Sequence, residues 1–143
     1  MRQTKQTMAP FHYTLRVRFN ECDPQSVAFN ANYLTYIDVA MTELYRQGFG
    51  RSYFEVMEDN GVETVVAEAN LKFIAPARFD DQIEIAIAID RLGNTAAEAS
   101  ALISREGELL VTAQIRYVFI DPQSWEKLPI PDQMRQQLAL YSA

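Results

Sequence analysis

The sequence contains only one histidine and one cysteine among its 143 residues. The single cysteine, Cys22, excludes a disulfide within the chain, and His12 with one thiol leaves too few ligands for a zinc site. The sequence therefore disfavours metal-dependent hydrolysis and catalysis by a Ser-His or Cys-His triad. We expect no metal and no other cofactor. We expect His12 to cap or pack at the start of a strand rather than to act as a base.

Positive charge is also scarce, because 13 Lys and Arg stand against 19 Asp and Glu, a net charge of −6. No Lys/Arg run offers the cationic face that a nucleic-acid partner needs. No window approaches ~18 consecutive apolar residues, and the first ten residues carry two positive charges without an apolar stretch behind them. We therefore expect a cytoplasmic protein with neither a nucleic-acid nor a membrane partner.

What is present is a composition typical of a folded domain, 48% hydrophobic and 22% charged. The length suits one domain, so residues 1–143 are predicted to form a single unit. We find no internal repeat, low-complexity tract or linker.

The first two elements are predicted to be a half-buried strand and a long helix. Residues 13–19 alternate, which puts Tyr13 and Phe19 on the same face. After a loop that contains Pro24, Asn30 is predicted as the N-cap of a helix that ends at Gly48, about 18 residues and roughly 27 Å long. Its apolar positions leave only a narrow polar edge, which predicts a helix largely surrounded by protein.

The second half of the chain is predicted to be a four-stranded antiparallel meander. Alternating runs at 64–73, 83–90, 97–103 and 109–119 are separated mainly by short turns. The small residues at 97–101 would let the long helix approach the sheet closely. Short helices are expected near 52–58 and after Pro131.

Asp23 is the strongest candidate for a catalytic residue in this arrangement. It shortly precedes the amino end of the long helix, where unpaired N–H groups and a partial positive charge suit a developing oxyanion. A carboxylate beside such a site is the constellation of acyl transfer. The alternative from spacing alone is that Asp23 and Pro24 merely form a turn.

Two segments, CDPQSVAFNANYLTYID and VVAEANLKFIAPARFDDQIEI, resemble the hotdog-fold 4-hydroxybenzoyl-CoA thioesterase family over residues 15–119. The motif residues are Asp23, Pro24, Ser26, Asn32 and Tyr33. The resemblance implies an α+β hotdog fold, an antiparallel sheet wrapped around one long central helix. It also implies metal-free hydrolysis of an acyl-CoA or acyl carrier protein thioester by a homodimer or homotetramer, the sheet edges being paired between subunits.

The resemblance also assigns candidate site residues. Asp23 is the expected catalytic residue, as general base or as nucleophile, and the backbone N–H groups of Asn30 and Ala31 are the expected oxyanion donors. The expected substrate contacts are Phe29, Asn32, Tyr33 and Asp38, although each also suits an ordinary structural position. The expected contacts for coenzyme phosphates are Arg91 and Lys127.

Ser26 departs from the family pattern, since many relatives have glycine there. If the position needs a positive φ, serine strains the loop or alters its path. Cys22 is a poor nucleophile candidate, because no basic residue adjoins it.

Two other functions stay open from the sequence. A hotdog hydratase or dehydratase generally pairs an acid with a histidine, and only His12 is available here. A non-catalytic helix-grip module also wraps a sheet around one helix, but its long helix generally lies at the carboxyl terminus.

Overall fold

The computed structural model describes residues 10–142, which form one sheet and three α-helices. In chain order the elements are β1 Phe11–Arg16, α1 Asn32–Phe49, α2 Tyr53–Asn60, β2 Glu63–Phe73, β3 Gln82–Leu92, β4 Ala96–Arg105, β5 Glu108–Ile120 and α3 Asp132–Ala139. A single 3₁₀ turn at Phe19–Glu21 follows β1. This α+β arrangement, with one long helix after the first strand, agrees with the fold class expected from the sequence.

The sheet is antiparallel, but it is not the simple meander predicted from the sequence. Its spatial order is β1-β3-β4-β5-β2, so only β3, β4 and β5 follow one another as hairpins. β2 crosses to the far edge and pairs with β5, and β1 occupies the other edge beside β3. Alternation defines the faces of a strand but not its neighbours, so the pattern could not show this crossover.

The helix α1 begins one residue later than predicted and ends later too. Asn30 is not its N-cap, because that position belongs to Ala31, which makes no side-chain capping bond. Gly48 lies inside the helix, where a β-carbon would come within 3.2 Å of the Tyr141 ring. The left-handed residue that ends the helix is Gly50, with φ of +68°.

One face of α1 is buried against the concave side of the sheet. Its buried residues are Tyr33, Tyr36, Ile37, Ala40, Met41, Leu44 and Tyr45. Ala97, Ala99 and Ala101 of β4 are buried in the same core, as their small size predicted, although the helix backbone comes closest to β1 and β3. The opposite face of α1 includes Asp38 and Val39 and is exposed, so the helix is less enclosed than predicted.

The start of the chain differs from the sequence prediction in two residues. Phe19 lies beyond β1 and is 77% exposed, packed edge-on against Phe79 with ring centres 5.7 Å apart. His12 neither caps nor packs in the core. Its Nδ1 lies 3.2 Å from a carboxylate oxygen of Glu84 on the exposed face of the sheet.

The edge strand β2 is the least buried strand of the sheet. None of its eleven residues is fully buried, and Val66 and Phe73 are exposed apolar side chains. A bulge between Val66 and Glu68 leaves Ala67 without a register partner on β5. An exposed edge of this length is a ready template for pairing with another strand.

Candidate active site

The loop at residues 22–31 carries the predicted catalytic residue and both predicted oxyanion donors. Cys22 and Ala28 form an isolated antiparallel bridge, and the Asp23 N–H donates to the Val27 carbonyl at 2.9 Å. The Ser26 N–H donates to the Asp23 carbonyl at 2.9 Å, which closes the turn. The loop is therefore a folded hairpin with Asp23 at its base.

A second segment, residues 74–81, lies alongside this loop and supports it. The Ala28 N–H donates to the Ala77 carbonyl at 2.8 Å, and the Phe79 N–H donates to the Ser26 carbonyl at 3.0 Å. The Ala77 N–H in turn donates to the Tyr33 hydroxyl of α1 at 3.0 Å. The two segments and the start of α1 thus form one hydrogen-bonded unit.

Arg105 and Asp81 hold the 74–81 segment in place. The Arg105 guanidinium donates to the Asp81 carboxylate at 2.5 Å and to the Pro76 carbonyl at 3.3 Å. Partial burial opposes ionisation of Asp81, but the Arg78 N–H and the Arg105 charge outweigh it and lower the pKa of Asp81. The carboxylate is therefore ionised at neutral pH and keeps its contact with Arg105.

Only one of the two carboxylate oxygens of Asp23 is hydrogen-bonded within the turn. One oxygen, Oδ1, accepts a hydrogen bond from the Gln25 N–H at 2.9 Å, an Asx turn across Pro24. Within residues 10–142 the other oxygen has no hydrogen-bond partner. The turn and the chemical interpretations of Asp23 are therefore compatible, because one oxygen fixes the side chain and the other is available.

Asp23 lines a pocket of about 370 Å³ at the amino end of α1. The other lining residues are Val27, Ala28, Phe29, Asn30, Tyr33, Phe73, Ile74, Ala75 and Pro76. In the part of the chain that is described, the N–H groups of Asn30 and Ala31 donate to no protein acceptor. Asp23 and Asn30 thus line the same pocket, and Ala31 follows Asn30 in the chain, so a carboxylate and an unpaired N–H group lie at the pocket with a second unpaired N–H group beside it.

The structure separates two of the four predicted substrate contacts from this pocket. Phe29 and Tyr33 line it. Asn32 instead donates its side-chain amide to the Glu21 carbonyl at 2.8 Å, which ties the loop to the helix. Asp38 lies farther along α1 in a different cavity of about 220 Å³.

Arg91 and Lys127, the predicted phosphate contacts, are not brought to the Asp23 pocket within one chain. β3 begins near the 74–81 segment, and Arg91 lies at its other end, roughly 30 Å away by strand geometry. There it lies 4.0 Å from Glu98, which lines an outer groove that is rich in acids. Lys127 bridges Ile120 at the end of β5. Both stay predictions.

The end of β2 contributes to the pocket, which the sequence pattern did not predict. Phe73 and Ile74 line it, and Phe73 packs against Tyr33 with ring centres 5.7 Å apart. The signal was present, because both residues fall inside the second segment that carries the family resemblance. Only the crossover of β2 to the sheet edge shows why they adjoin the helix start.

The family model for the thioesterase-like superfamily matches residues 17–138 of this chain. The chain belongs to the thioesterase-like superfamily. This confirms the resemblance drawn from the Asp23 motif, the hotdog fold and the expectation of a thioester hydrolase. Among residues 10–142, no group of His, Cys, Asp and Glu side chains could hold a metal ion, and no helix is long and apolar enough to cross a membrane.

Relatives of this superfamily member resemble it over most of their length. The acyl-CoA thioester hydrolase YbgC of Escherichia coli is 26% identical over 85% of this chain and 90% of its own. The crystal structure of the hypothetical protein AQ1494 from Aquifex aeolicus is 26% identical, with a TM-score of 0.83 over 90% of this chain and 99% of the other. Slr0204 of Synechocystis, a 1,4-dihydroxy-2-naphthoyl-CoA thioesterase, has a TM-score of 0.82 at 20% identity, covering 91% and 96% of the two chains.

Ser26 of this thioesterase-like chain adopts the conformation that favours glycine, with φ of +62°. The bonds of its backbone N–H and carbonyl do not depend on the side chain. Serine in the left-handed region costs about 1 kcal/mol, so Ser26→Gly should raise the free energy of unfolding by up to about that amount. Urea denaturation of the variant measures it.

The matched control for this prediction is Ser104→Gly, in the extended backbone of β4. There glycine adds flexibility without relieving strain, so stability should fall by about 0.5–1 kcal/mol. A loss of stability in Ser26→Gly equal to that of the control would contradict the strain at Ser26.

Proposed function

We propose that this protein hydrolyses an acyl-CoA or acyl carrier protein thioester, with Asp23 as the catalytic residue. The observation that carries the proposal is the pocket at the start of α1, which is lined by Asp23, with its unpaired carboxylate oxygen, and by Asn30, with Ala31 the next residue in the chain. The name of YbgC, an acyl-CoA thioester hydrolase, supports the same substrate class.

The carbonyl oxygen of the thioester would accept hydrogen bonds from the two N–H groups at the amino end of α1. As a nucleophile adds to the carbonyl carbon, negative charge moves onto that oxygen, and the donors stabilise it. Collapse of the tetrahedral intermediate breaks the carbon–sulfur bond, and the thiolate leaves and takes a proton. The pocket thus needs only a nucleophile, which Asp23 either activates or supplies.

As a general base, Asp23 takes a proton from water while the water oxygen adds to the carbonyl carbon. As a nucleophile, the carboxylate itself adds, the thiol leaves, and water hydrolyses the resulting mixed anhydride. Single turnover in ¹⁸O-labelled water separates the two routes, because only the anhydride route can place solvent oxygen in the Asp23 carboxylate.

A hydratase or dehydratase has no support in the described structure. His12 projects from the exposed face of the sheet and pairs with Glu84, whereas Asp23 lies by the helix on the other face. Asp23 and His12 are therefore not brought together within one chain, and the acid that does pair with His12 lies on the exposed face of the sheet.

We further propose a homodimer formed by the two β2 edges, with a tetramer built from two such dimers as the larger alternative. Identical strands that pair about a two-fold axis run antiparallel, so the carboxyl end of one β2 faces the amino half of its partner. The carboxyl end, at Phe73, adjoins the Asp23 pocket, and the amino half, at Thr64 and Val66, lines the cavity of Asp38. Each Asp23 pocket would then adjoin the Asp38 cavity of the other subunit.

The Asp38 cavity has the chemistry to receive a polar acyl group. Partial burial raises the pKa of Asp38, and the Tyr117 hydroxyl is buried with no hydrogen-bond partner among the described residues. The remaining lining residues are Met41, Thr42, Tyr45, Tyr53, Thr64 and Val66. We propose that a hydroxylated aromatic acyl group bonds to Asp38 and Tyr117, a proposal that the substrate named for Slr0204 supports.

The central prediction concerns Asp23→Asn, which preserves the shape of the side chain and an oxygen for the Gln25 N–H. Loss of the carboxylate should lower kcat by about 10²–10⁴ with a much smaller change in KM. Steady-state kinetics over a panel of acyl-CoAs, with release of free thiol as the signal, measures both constants.

Asp121→Asn is the matched control for that prediction. Asp121 also precedes a proline and accepts backbone bonds from Gln123 and Ser124 at 3.0 and 2.8 Å, but it does not line the pocket. Its kcat should stay at the wild-type value. A kcat within threefold of wild type for Asp23→Asn would show that Asp23 only forms a turn.

For the assembly, Ala67→Pro should convert the dimer to a monomer. Proline removes a backbone donor from the β2 edge at the bulge, where Ala67 has no register partner on β5. Light scattering at micromolar concentration measures the mass, with Ala67→Thr, which retains the N–H, as a dimeric control. A monomeric wild-type protein would refute the assembly.

For the acyl group, Tyr117→Phe should lower kcat/KM about tenfold for 4-hydroxybenzoyl-CoA and leave benzoyl-CoA unchanged, since only the former loses a hydrogen bond. The melting temperature should not fall, because the hydroxyl has no protein partner to lose. Tyr13→Phe on β1 is the matched control. Equal effects on both substrates would contradict a polar contact at Tyr117.

A further inference from the structure

Glu21 is an acidic residue that the proposed chemistry does not use, yet it is the most heavily bonded side chain near Asp23. It closes the 3₁₀ turn two residues before Asp23, and its side chain is only 12% exposed. Its Oε1 accepts hydrogen bonds from the Arg18 N–H at 2.8 Å and from the Tyr36 hydroxyl at 2.9 Å. Its Oε2 accepts from the Arg18 Nε at 2.7 Å and lies 2.6 Å from Nη2.

The backbone of Glu21 adds two further bonds. Its carbonyl accepts from the Phe29 N–H at 2.9 Å, which joins the two ends of the Asp23 loop. The same carbonyl accepts from the Asn32 side chain at 2.8 Å. Asn32 and Tyr36 lie one turn apart on the same face of α1, so Glu21 binds the helix at two points.

These are the hydrogen bonds that connect the base of the loop to α1. In the described chain, the other bonds of residues 22–28 stay within the loop, return to Arg18 and Phe19, or reach the 74–81 segment, which itself bonds Tyr33 of α1. Glu21 therefore provides the direct link between the base of the loop and the helix, and the 74–81 segment provides an indirect one. The oxyanion donors at Asn30 and Ala31 belong to the helix side of this connection.

The surroundings of Glu21 keep its carboxylate ionised and keep the Tyr36 hydroxyl protonated. Burial opposes the carboxylate, but the bonds from Arg18 and Tyr36 outweigh it and lower the pKa of Glu21. Burial and the Glu21 carboxylate together raise the pKa of Tyr36. Tyr36 thus stays protonated at neutral pH and donates its hydroxyl hydrogen to Glu21.

We propose that Glu21 is a positioning residue for the thioesterase reaction. It fixes the Asp23 loop to α1 so that the free Asp23 oxygen and the N–H groups of Asn30 and Ala31 address the same carbonyl. The proposal rests on the proposed function, because positioning has kinetic consequences only if Asp23 takes part in the chemistry.

A double-mutant cycle of Glu21→Gln and Asp23→Asn tests it. Glu21→Gln keeps the shape of the side chain but loses the charge-assisted bonds to Arg18. Since a misplacement of about 1 Å can cost up to 10² in rate, kcat should fall about 10- to 100-fold, with KM changed less than threefold. In the Asp23→Asn background the same substitution should change kcat less than twofold, because the group it positions is already gone.

Two further variants separate positioning from folding. Tyr36→Phe removes one bond to Glu21 and retains the buried ring, and it should lower kcat three- to tenfold at unchanged KM. Glu55→Gln is the matched control, because Glu55 forms the equivalent capping box with Ser52 on α2, away from the pocket. Its kcat should equal that of the wild type.

Wild-type kcat in Glu21→Gln with only a lower melting temperature would show that Glu21 merely stabilises the fold. Equal fold-losses of kcat for Glu21→Gln in both Asp23 backgrounds would show that it does not act through Asp23, and either result overturns the proposal. Failure of the proposed function gives a different result, a near wild-type kcat in Asp23→Asn itself.

Discussion

The packing of α1 against the concave face of the sheet is the contact on which the rest of the molecule depends. Its buried face is rich in tyrosine, and three of these rings reach beyond the core. Tyr33 accepts from Ala77, Tyr36 donates to Glu21, and Tyr45 packs edge-on against Tyr53. The rings bury apolar area, while the hydroxyl groups of Tyr33 and Tyr36 bind the two segments next to the Asp23 loop, so one helix both fills the core and holds this loop.

The Asp23 loop illustrates how a polar site can be rigid without being deeply buried. Its bonds to the 74–81 segment are supported by the Arg105–Asp81 ion pair, and its bonds to α1 pass through Glu21. Each of these carboxylates has a lowered pKa, so both supports persist at neutral pH. Among the described residues, the second oxygen of Asp23 has no such partner, which leaves it available for the proposed role as base or nucleophile.

The exposed β2 edge lies beside both cavities of the chain. Helix α1 and β2 run antiparallel, so the Asp23 pocket and the Asp38 cavity lie at opposite ends of the same edge. A single chain therefore has two cavities that do not meet. In the proposed dimer, pairing of the β2 edges would join the Asp23 pocket of each subunit to the Asp38 cavity of the other, and it would also cover an exposed strand.

Local patterns in the sequence were sufficient for the helices and strands themselves, since a period of two or 3.6 residues reports which side chains share a face. They also indicated Asp23 as a candidate catalytic residue. The positive φ of Ser26 is the conformation that glycine favours, in agreement with the glycine that many relatives have there. The pattern failed at Phe19 and His12, because alternation does not say where a strand ends or whether its outer face meets solvent.

The order of the strands, by contrast, was decided only by tertiary packing. β2 and β3 follow each other in the chain but lie at different places in the sheet, because pairing depends on contacts between distant residues. For the same reason, the sequence did not show that Asn32 bonds to Glu21 or that Arg91 lies far from Asp23. The resemblance covered the segment that contains Phe73 but did not place that residue at the pocket. The sequence by itself determined the chemistry available to this protein, and the three-dimensional packing decided which of those groups meet.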